Sequence, residues 1–384
     1  MGVKVETLYA YVSRGLLRRD VAPDGRTSVF DRREVEALAL RGRPRQSSRS
    51  SSIDLLIETH LTELTPQGVR YRGVRADDLA RTQPFEAVAE LLWSGSLAGA
   101  RLPWRAPTVQ VPDDVDPITA LQVAVALLGA HDPGPHGTGA SEVAAVGRRM
   151  IAGVVDSLPV AGDGRCPRLA LAGEPIRSTI AGRLWTRLSS RRPPPGMLPV
   201  VNAALVLLAD HDLAASTFGV RVAASTRADP YAAVSAGLGV LRGPLHGRAS
   251  VLARRLLADA DEVGATRAVG AILRRGEHVP GFGHTVYTDV DPRATVLLAM
   301  LAAVPAAARM VHLADDVSAV TMDRVGQAAN VDLALAALGA ANAMADDAGE
   351  AIMSVARIAG WLAHAIEEYQ ERPLRFRPRA LFVP

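Results

Sequence analysis

From Ile53 onward the apolar residues of this 384-residue chain recur at three- and four-residue intervals, and that spacing most restricts the fold. Phe85, Val88, Ala89, Leu91 and Leu92 form one such stripe, and the segments 118–128 and 197–208 carry others. Residues three and four apart lie on one side of a helix, so each stripe predicts a helix with one face turned to a core. Strand-type alternation is scarce. Alanine, the best helix former, is abundant and aromatic residues make up only 4% of the chain, so closely packed helices are expected. Proline- and glycine-rich stretches at 130–139 and 191–196 separate them. The expectation is an all-α protein. Its length suits two to three domains of about 150 residues each.

Charge and cysteine content narrow the function classes. The formal charge is +3, and every basic side chain is arginine except Lys4, a composition suited to anionic ligands without by itself implying nucleic acid. One cysteine, Cys166, excludes an intramolecular disulfide or a cysteine-based metal cluster and fits a reducing, cytoplasmic setting. The N-terminal residues turn polar at once, so no signal peptide is expected. The longest apolar run, 294–308, falls short of the roughly 20 residues that span a bilayer and reads as a buried core helix, so no membrane association is expected.

The first 45 residues differ in style. They hold Thr7-Leu8-Tyr9-Ala10-Tyr11-Val12, a turn at Arg14-Gly15-Leu16-Leu17, an Asp24-Gly25 hairpin signal and a helix predicted from Asp31. This segment resembles the winged helix-turn-helix of MerR-like regulators, in which a further helix precedes the Thr-Leu-Tyr run. A DNA-reading module and a small basic appendage are both open. Arginine- and serine-rich residues 46–52 predict a flexible linker.

Three strings carry chemistry: Gly243-Pro244-Leu245-His246-Gly247, Gly281-Phe282-Gly283-His284 through Asp291-Pro292-Arg293, and Asn330-Val331-Asp332. Together they supply two imidazoles, a guanidinium and a carboxylate beside glycine or proline. Enolising a thioester needs a base at the α-carbon and a hydrogen-bond donor at the carbonyl oxygen. Asp332 suits the base and His246 the donor. A helix predicted from Ala249 would disfavour imidazolium at His246, leaving a neutral donor. His284 can hydrogen-bond a ketone, and Arg293 can hold a carboxylate with two parallel bonds. Each residue also has a structural alternative: the histidines as turn residues, Asp332 as the N-cap of the following helix, His211-Asp212 as a cap, and Arg357 and Arg377 as solvated arginines.

With Tyr71-Arg72-Gly73, His211-Asp212-Leu213-Ala214-Ala215-Ser216-Thr217-Phe218 and Arg377-Pro378-Arg379, these strings resemble the citrate synthase family from about Arg70 to the C-terminus. The resemblance implies a large helical domain, 53–213 with 327–384, and a small one, 214–326, with the site between them. It implies that Asp332 deprotonates acetyl-CoA, His246 stabilises the enol, and His284 polarises the oxaloacetate carbonyl. His211, His284, Arg293 and Arg357 would hold oxaloacetate, joined by Arg377 from the other subunit of a homodimer. Citryl-CoA would then be hydrolysed, without a metal or a permanently bound cofactor.

The chain departs from the family where Arg248 replaces a small residue after the first histidine and Thr285 and Thr288 replace basic residues after the second. Arg248, Arg274 and Arg275, with Arg254 and Arg255, are the substitutes available to the CoA phosphates. Propionyl-CoA (2-methylcitrate synthesis) is an alternative substrate. A non-catalytic DNA-binding ligand sensor is an alternative from another class.

Overall fold

The helix Ala348–Gln370 runs through the middle of the structure, and of its residues only Met353, Glu367 and Gln370 reach solvent. A helix buried around its whole circumference must be enclosed on all sides. Here the enclosing helices are Phe85–Ser94, Pro117–His131, Ala140–Ser157, Met197–Leu208, Ala215–Ser225 and Pro230–Leu241. The structure is a computed structural model, describing residues 12, 20–21, 28–30, 56–65, 68–97, 103–132, 137–160, 178–243, 247, 249–287, 289–378 and 382.

By its internal contacts the chain divides into two units, Met1–Glu58 and Thr59–Pro384. In the first, strands Asp20–Val21 and Ser28–Val29 pair antiparallel around the Asp24-Gly25 signal, as the sequence predicts. The turns and helix expected elsewhere in residues 1–45, and the linker, lie outside the described residues.

The second unit is helical, with one small sheet the apolar pattern does not announce. Strands Thr62–Thr65, Gly68–Tyr71 and Val74–Arg75 pair antiparallel. Arg72 and Gly73 close the second turn with φ of 47° and 84°, the left-handed pair that a two-residue hairpin requires.

The predicted stripes appear as the helices Phe85–Ser94, Pro117–His131 and Met197–Leu208. The run 294–308 is not a single core helix. Pro292–Ala302 ends before Pro305, and the chain resumes through a short 3₁₀ turn into Ala308–Val325 at 108°. Proline cannot continue the hydrogen-bond ladder, so the break falls there. No single helix among the described residues is long and apolar enough to cross a membrane.

Gly360 fixes how the central helix meets the end of Met197–Leu208. Its N–H donates to the Ala209 carbonyl at 3.0 Å. A Cβ at this position would collide with that oxygen and stand 2.5 Å from Asp210 Oδ1. The backbone just before His211 is thereby seated directly on the core helix.

Candidate active site

The glycine loop 281–283 and the Asn330-Val331-Asp332 turn are laced together by backbone bonds. Asn330 N–H donates to Gly281 O at 2.9 Å, Gly283 N–H to Ala328 O at 2.9 Å, and the Asn330 side-chain amide to Gly283 O at 2.8 Å. Gly281 sits at φ 83°, and a Cβ there would press on Leu333 and Ala253 at 3.0–3.1 Å, so only glycine allows this approach. Asp291 adds a second tie. It caps the helix Pro292–Ala302 through the Arg293 N–H, holds the Arg293 guanidinium with both oxygens at 3.0 and 2.8 Å, and accepts the Val331 N–H at 3.0 Å. Two of the three sequence strings therefore form one bonded unit.

His284 stands on this unit beside Arg293. Its Nδ1 accepts the backbone N–H groups of Val286 and Tyr287 at 3.0 and 3.3 Å, which puts the ring proton of a neutral imidazole on Nε2. That nitrogen lies 3.2 Å from Arg293 Nη2. With the ring proton on Nε2 the two nitrogens are both donors, and an oxygen placed between them could accept from each. Burial, then the Arg293 charge, holds the His284 pKa below the usual value, so the ring is a neutral donor.

His211 and Arg357 extend the site. His211 is buried, its Nε2 is 3.0 Å from the Tyr287 hydroxyl, and its ring packs edge-on to His284 at 5.4 Å. Burial, reinforced by Arg293 and Arg357, drives its pKa far down. It does not cap the next helix, because Ala214 occupies the N-cap of Ala215–Ser225 without a side-chain bond. Arg357 is buried rather than solvated. Its Nε donates to Leu208 O at 2.9 Å and its Nη2 meets only Met353 Sδ at 3.9 Å. The remaining guanidinium N–H groups have no acceptor among the described residues and are available to an anion. Burial lowers its pKa, and Asp210 works in the opposite direction.

Asp332 is not the N-cap of its helix. Asn330 caps Val331–Ala341, its side-chain oxygen accepting the Asp332 N–H at 3.0 Å. The Asp332 carboxylate accepts no hydrogen bond from a described residue. Burial, with Asp291 adding and Arg293 opposing, raises its pKa to about 6. A carboxylate without partners and with a raised pKa is a stronger base than an exposed one, and still ionised at neutral pH.

His284, Tyr287, Asp291 and Asn330 line one wall of a cavity of about 350 Å³. His278, Thr285, Asp289 and Gln327 also line it, and no arginine among the described residues does. His246 and Arg248 lie outside the described residues, as does Thr288. Arg274 and Arg275 end the helix Ala265–Arg274, both exposed, and Glu277 holds Arg275 with two bonds of 2.9 Å. Arg254 is less committed. It reaches Met344 O at 3.4 Å and Asp346 only at 3.5 Å, while its buried Nη1 has no partner. Arg377 is exposed on the tail.

Sequence reasoning gave no role to Asp291 or Tyr287, which hold Arg293 and His211 in place. Asp291 lies in the quoted Asp-Pro-Arg string, where an acidic residue before proline marks a helix cap. Nothing local identifies Tyr287 as the partner of His211.

A helical protein that gathers neutral imidazoles, buried guanidinium groups and an unbonded carboxylate is equipped for acid–base chemistry on a carboxylate substrate. The family model for the citrate synthase C-terminal domain matches residues 55–379. The citrate synthase of Haloferax volcanii is 32% identical over 338 residues, covering 82% of this chain and 89% of that one. A 2-methylcitrate synthase of Corynebacterium glutamicum is 28% identical, covering 84% and 92%. The Thermoplasma acidophilum citrate synthase, solved with carboxymethyl coenzyme A and oxaloacetate, superimposes with a TM-score of 0.68 at 21% identity over 87% and 94% of the two chains. The chain belongs to the citrate synthase family, and it is an acyltransferase.

Proposed function

We propose that the chain condenses oxaloacetate with acetyl-CoA through an enol and hydrolyses the citryl thioester to citrate and CoA. The observation that carries this is one bonded unit that holds the unbonded carboxylate of Asp332 together with His284 and Arg293, whose Nε2 and Nη2 lie 3.2 Å apart. Asp332 takes a proton from the acyl α-carbon while His246, by its place in the family motif, donates to the thioester oxygen. The His284 Nε2–H polarises the keto oxygen, the enol carbon attacks the keto carbon, and the new alkoxide takes the His284 proton. Water then cleaves the thioester and CoA leaves as the thiol. Arg293, Arg357 and His211 hold the dicarboxylate, where the two buried guanidinium charges are worth more than in water. No resident cofactor or metal has a step here, and acyl-CoA is a co-substrate.

The assembly in this proposal is a cytoplasmic homodimer in which Arg377 completes the partner subunit's oxaloacetate site, and the segment 214–326 is a small domain that closes over the substrates. Arg254, with its unpartnered Nη1, joins Arg248, Arg274 and Arg275 as a candidate for CoA phosphates. The kinship to a 2-methylcitrate synthase favours propionyl-CoA as the second reading. One methylene in an apolar pocket changes discrimination by only about 1–3 kcal/mol. Thiol release with oxaloacetate and either acyl-CoA, compared by kcat/KM, tests the function and ranks the two substrates. No release with either defeats both.

A further inference from the structure

Behind the substrate-facing groups lies a run of buried polar side chains that take no part in the chemistry. Asp210, fully buried next to His211, accepts the Thr62 hydroxyl at 2.5 Å on Oδ2 and meets His364 Nε2 with the same oxygen at 3.2 Å. His364 Nδ1 accepts from Arg221 Nε at 3.1 Å, so the ring's own proton is on Nε2 and is donated to Asp210. Arg221, also fully buried, spreads its other nitrogens over Glu368 at 3.1 Å and Glu367. Glu368 in turn takes two bonds from Arg375, at 2.7 and 2.6 Å. Interring this many charged groups is costly, and apolar side chains of like volume commonly serve a core better. The arrangement therefore asks for a purpose beyond packing.

The backbone between Leu208 and Asp212 supplies that purpose. Leu208 O accepts from Arg357, and the Tyr71 hydroxyl sits within donating distance of the neighbouring carbonyls, 3.0 Å from both Val206 O and Asp210 O. Asp212 is held at φ 53°, an uncommon conformation for a non-glycine residue. Asp210 Oδ1 has no partner and no free space against Gly360. Asp210 adjoins His211 and lies two residues after Leu208, whose carbonyl accepts from Arg357, so its carboxylate is placed to fix the backbone that carries both.

We propose that Thr62, His364 and Arg221 are positioning residues for the keto acid, acting through Asp210 on His211 and Arg357. This rests on the assignment of those two groups to oxaloacetate. The test is full-length protein carrying Thr62→Val or His364→Gln, assayed for KM toward each substrate, for kcat, for oxaloacetate Kd by calorimetry and for thermal unfolding. A bond to a charged partner is worth about 1.5–3 kcal/mol, so His364→Gln is expected to weaken oxaloacetate affinity about 10- to 100-fold, with kcat and the acyl-CoA KM within about twofold of wild type. Thr62→Val, nearly isosteric and in a partly exposed strand, is expected to weaken it about 3- to 10-fold. Unchanged oxaloacetate affinity in the folded variants, or equal losses for both substrates, overturns the proposal. If His364→Gln does not fold, Thr62→Val decides. Wild-type protein that binds oxaloacetate but releases no thiol overturns the condensation reaction alone, since the affinities still settle the positioning.

Discussion

The Asn330 side-chain oxygen accepts the backbone N–H of Asp332 at 3.0 Å, and this bond leaves the Asp332 carboxylate free. An aspartate at the start of a helix normally spends its oxygens on orphan amides of the first turn. Here the residue two positions earlier does that work, and its amide nitrogen also holds Gly283 O, on the loop that carries His284. One asparagine thus sets both Asp332 and the loop that carries His284.

Replacing Asn330 with alanine should expose this double role. The cap alone is worth about 1 kcal/mol, and that much should be lost from the unfolding free energy. Turnover should fall by about 10- to 100-fold, more than the stability loss explains, because a misplacement of about 1 Å carries such a cost. Denaturant unfolding and steady-state kinetics on the same preparation check both.

The raised pKa of Asp332 has opposite consequences for activity and stability. The base must be ionised, so kcat/KM should rise with pH through about 6 and then level. The folded protein binds this proton more tightly than the unfolded chain, whose aspartate titrates near 3.9. Its stabilising contribution is therefore present below about pH 4 and is lost as pH rises to about 6. Above that, the ionised carboxylate costs up to about 3 kcal/mol. Asp332→Asn should consequently unfold at a higher temperature than wild type at pH 7 while being inactive, and the two should converge toward pH 4.

Much of this was legible from residue types. The all-helical body followed from apolar spacing, and two of the three chemical strings are joined as bonded neighbours. What escaped was held by long-range contacts. The solvated alternative for Arg357 follows from the amphipathic pattern of its helix, yet the helix is enclosed on all sides and the arginine is buried against Leu208 O. The hairpin at 68–75 escaped because its left-handed turn starts with arginine, where asparagine or aspartate is the usual signal. The cap alternative for Asp332 follows from aspartate's preference for that position, and only the backbone path shows that Asn330 takes it.

Gly360→Ala tests how tightly the core helix seats the site. The added methyl collides with the Ala209 carbonyl and Asp210, and overpacking of this kind costs about 1–3 kcal/mol. Thermal unfolding should show that loss, accompanied by a raised KM for oxaloacetate.

If Arg377 serves the partner's site, two impaired variants should complement each other. Asp332→Ala and Arg377→Ala, each weakly active alone, should recover about a quarter of wild-type activity when unfolded together and reassembled at equal amounts, since half of the random dimers carry one intact site. No recovery in dimers shown to be mixed would place Arg377 in its own subunit's site or in none.

The most direct measurement is thiol release from acetyl-CoA and oxaloacetate by wild-type protein and by Asp332→Ala, with circular dichroism confirming that both are folded. The account predicts turnover by the wild type and a loss of about 10²–10⁴-fold in the variant, the range ascribed to a general base. A folded Asp332→Ala protein that releases thiol at close to the wild-type rate would contradict it.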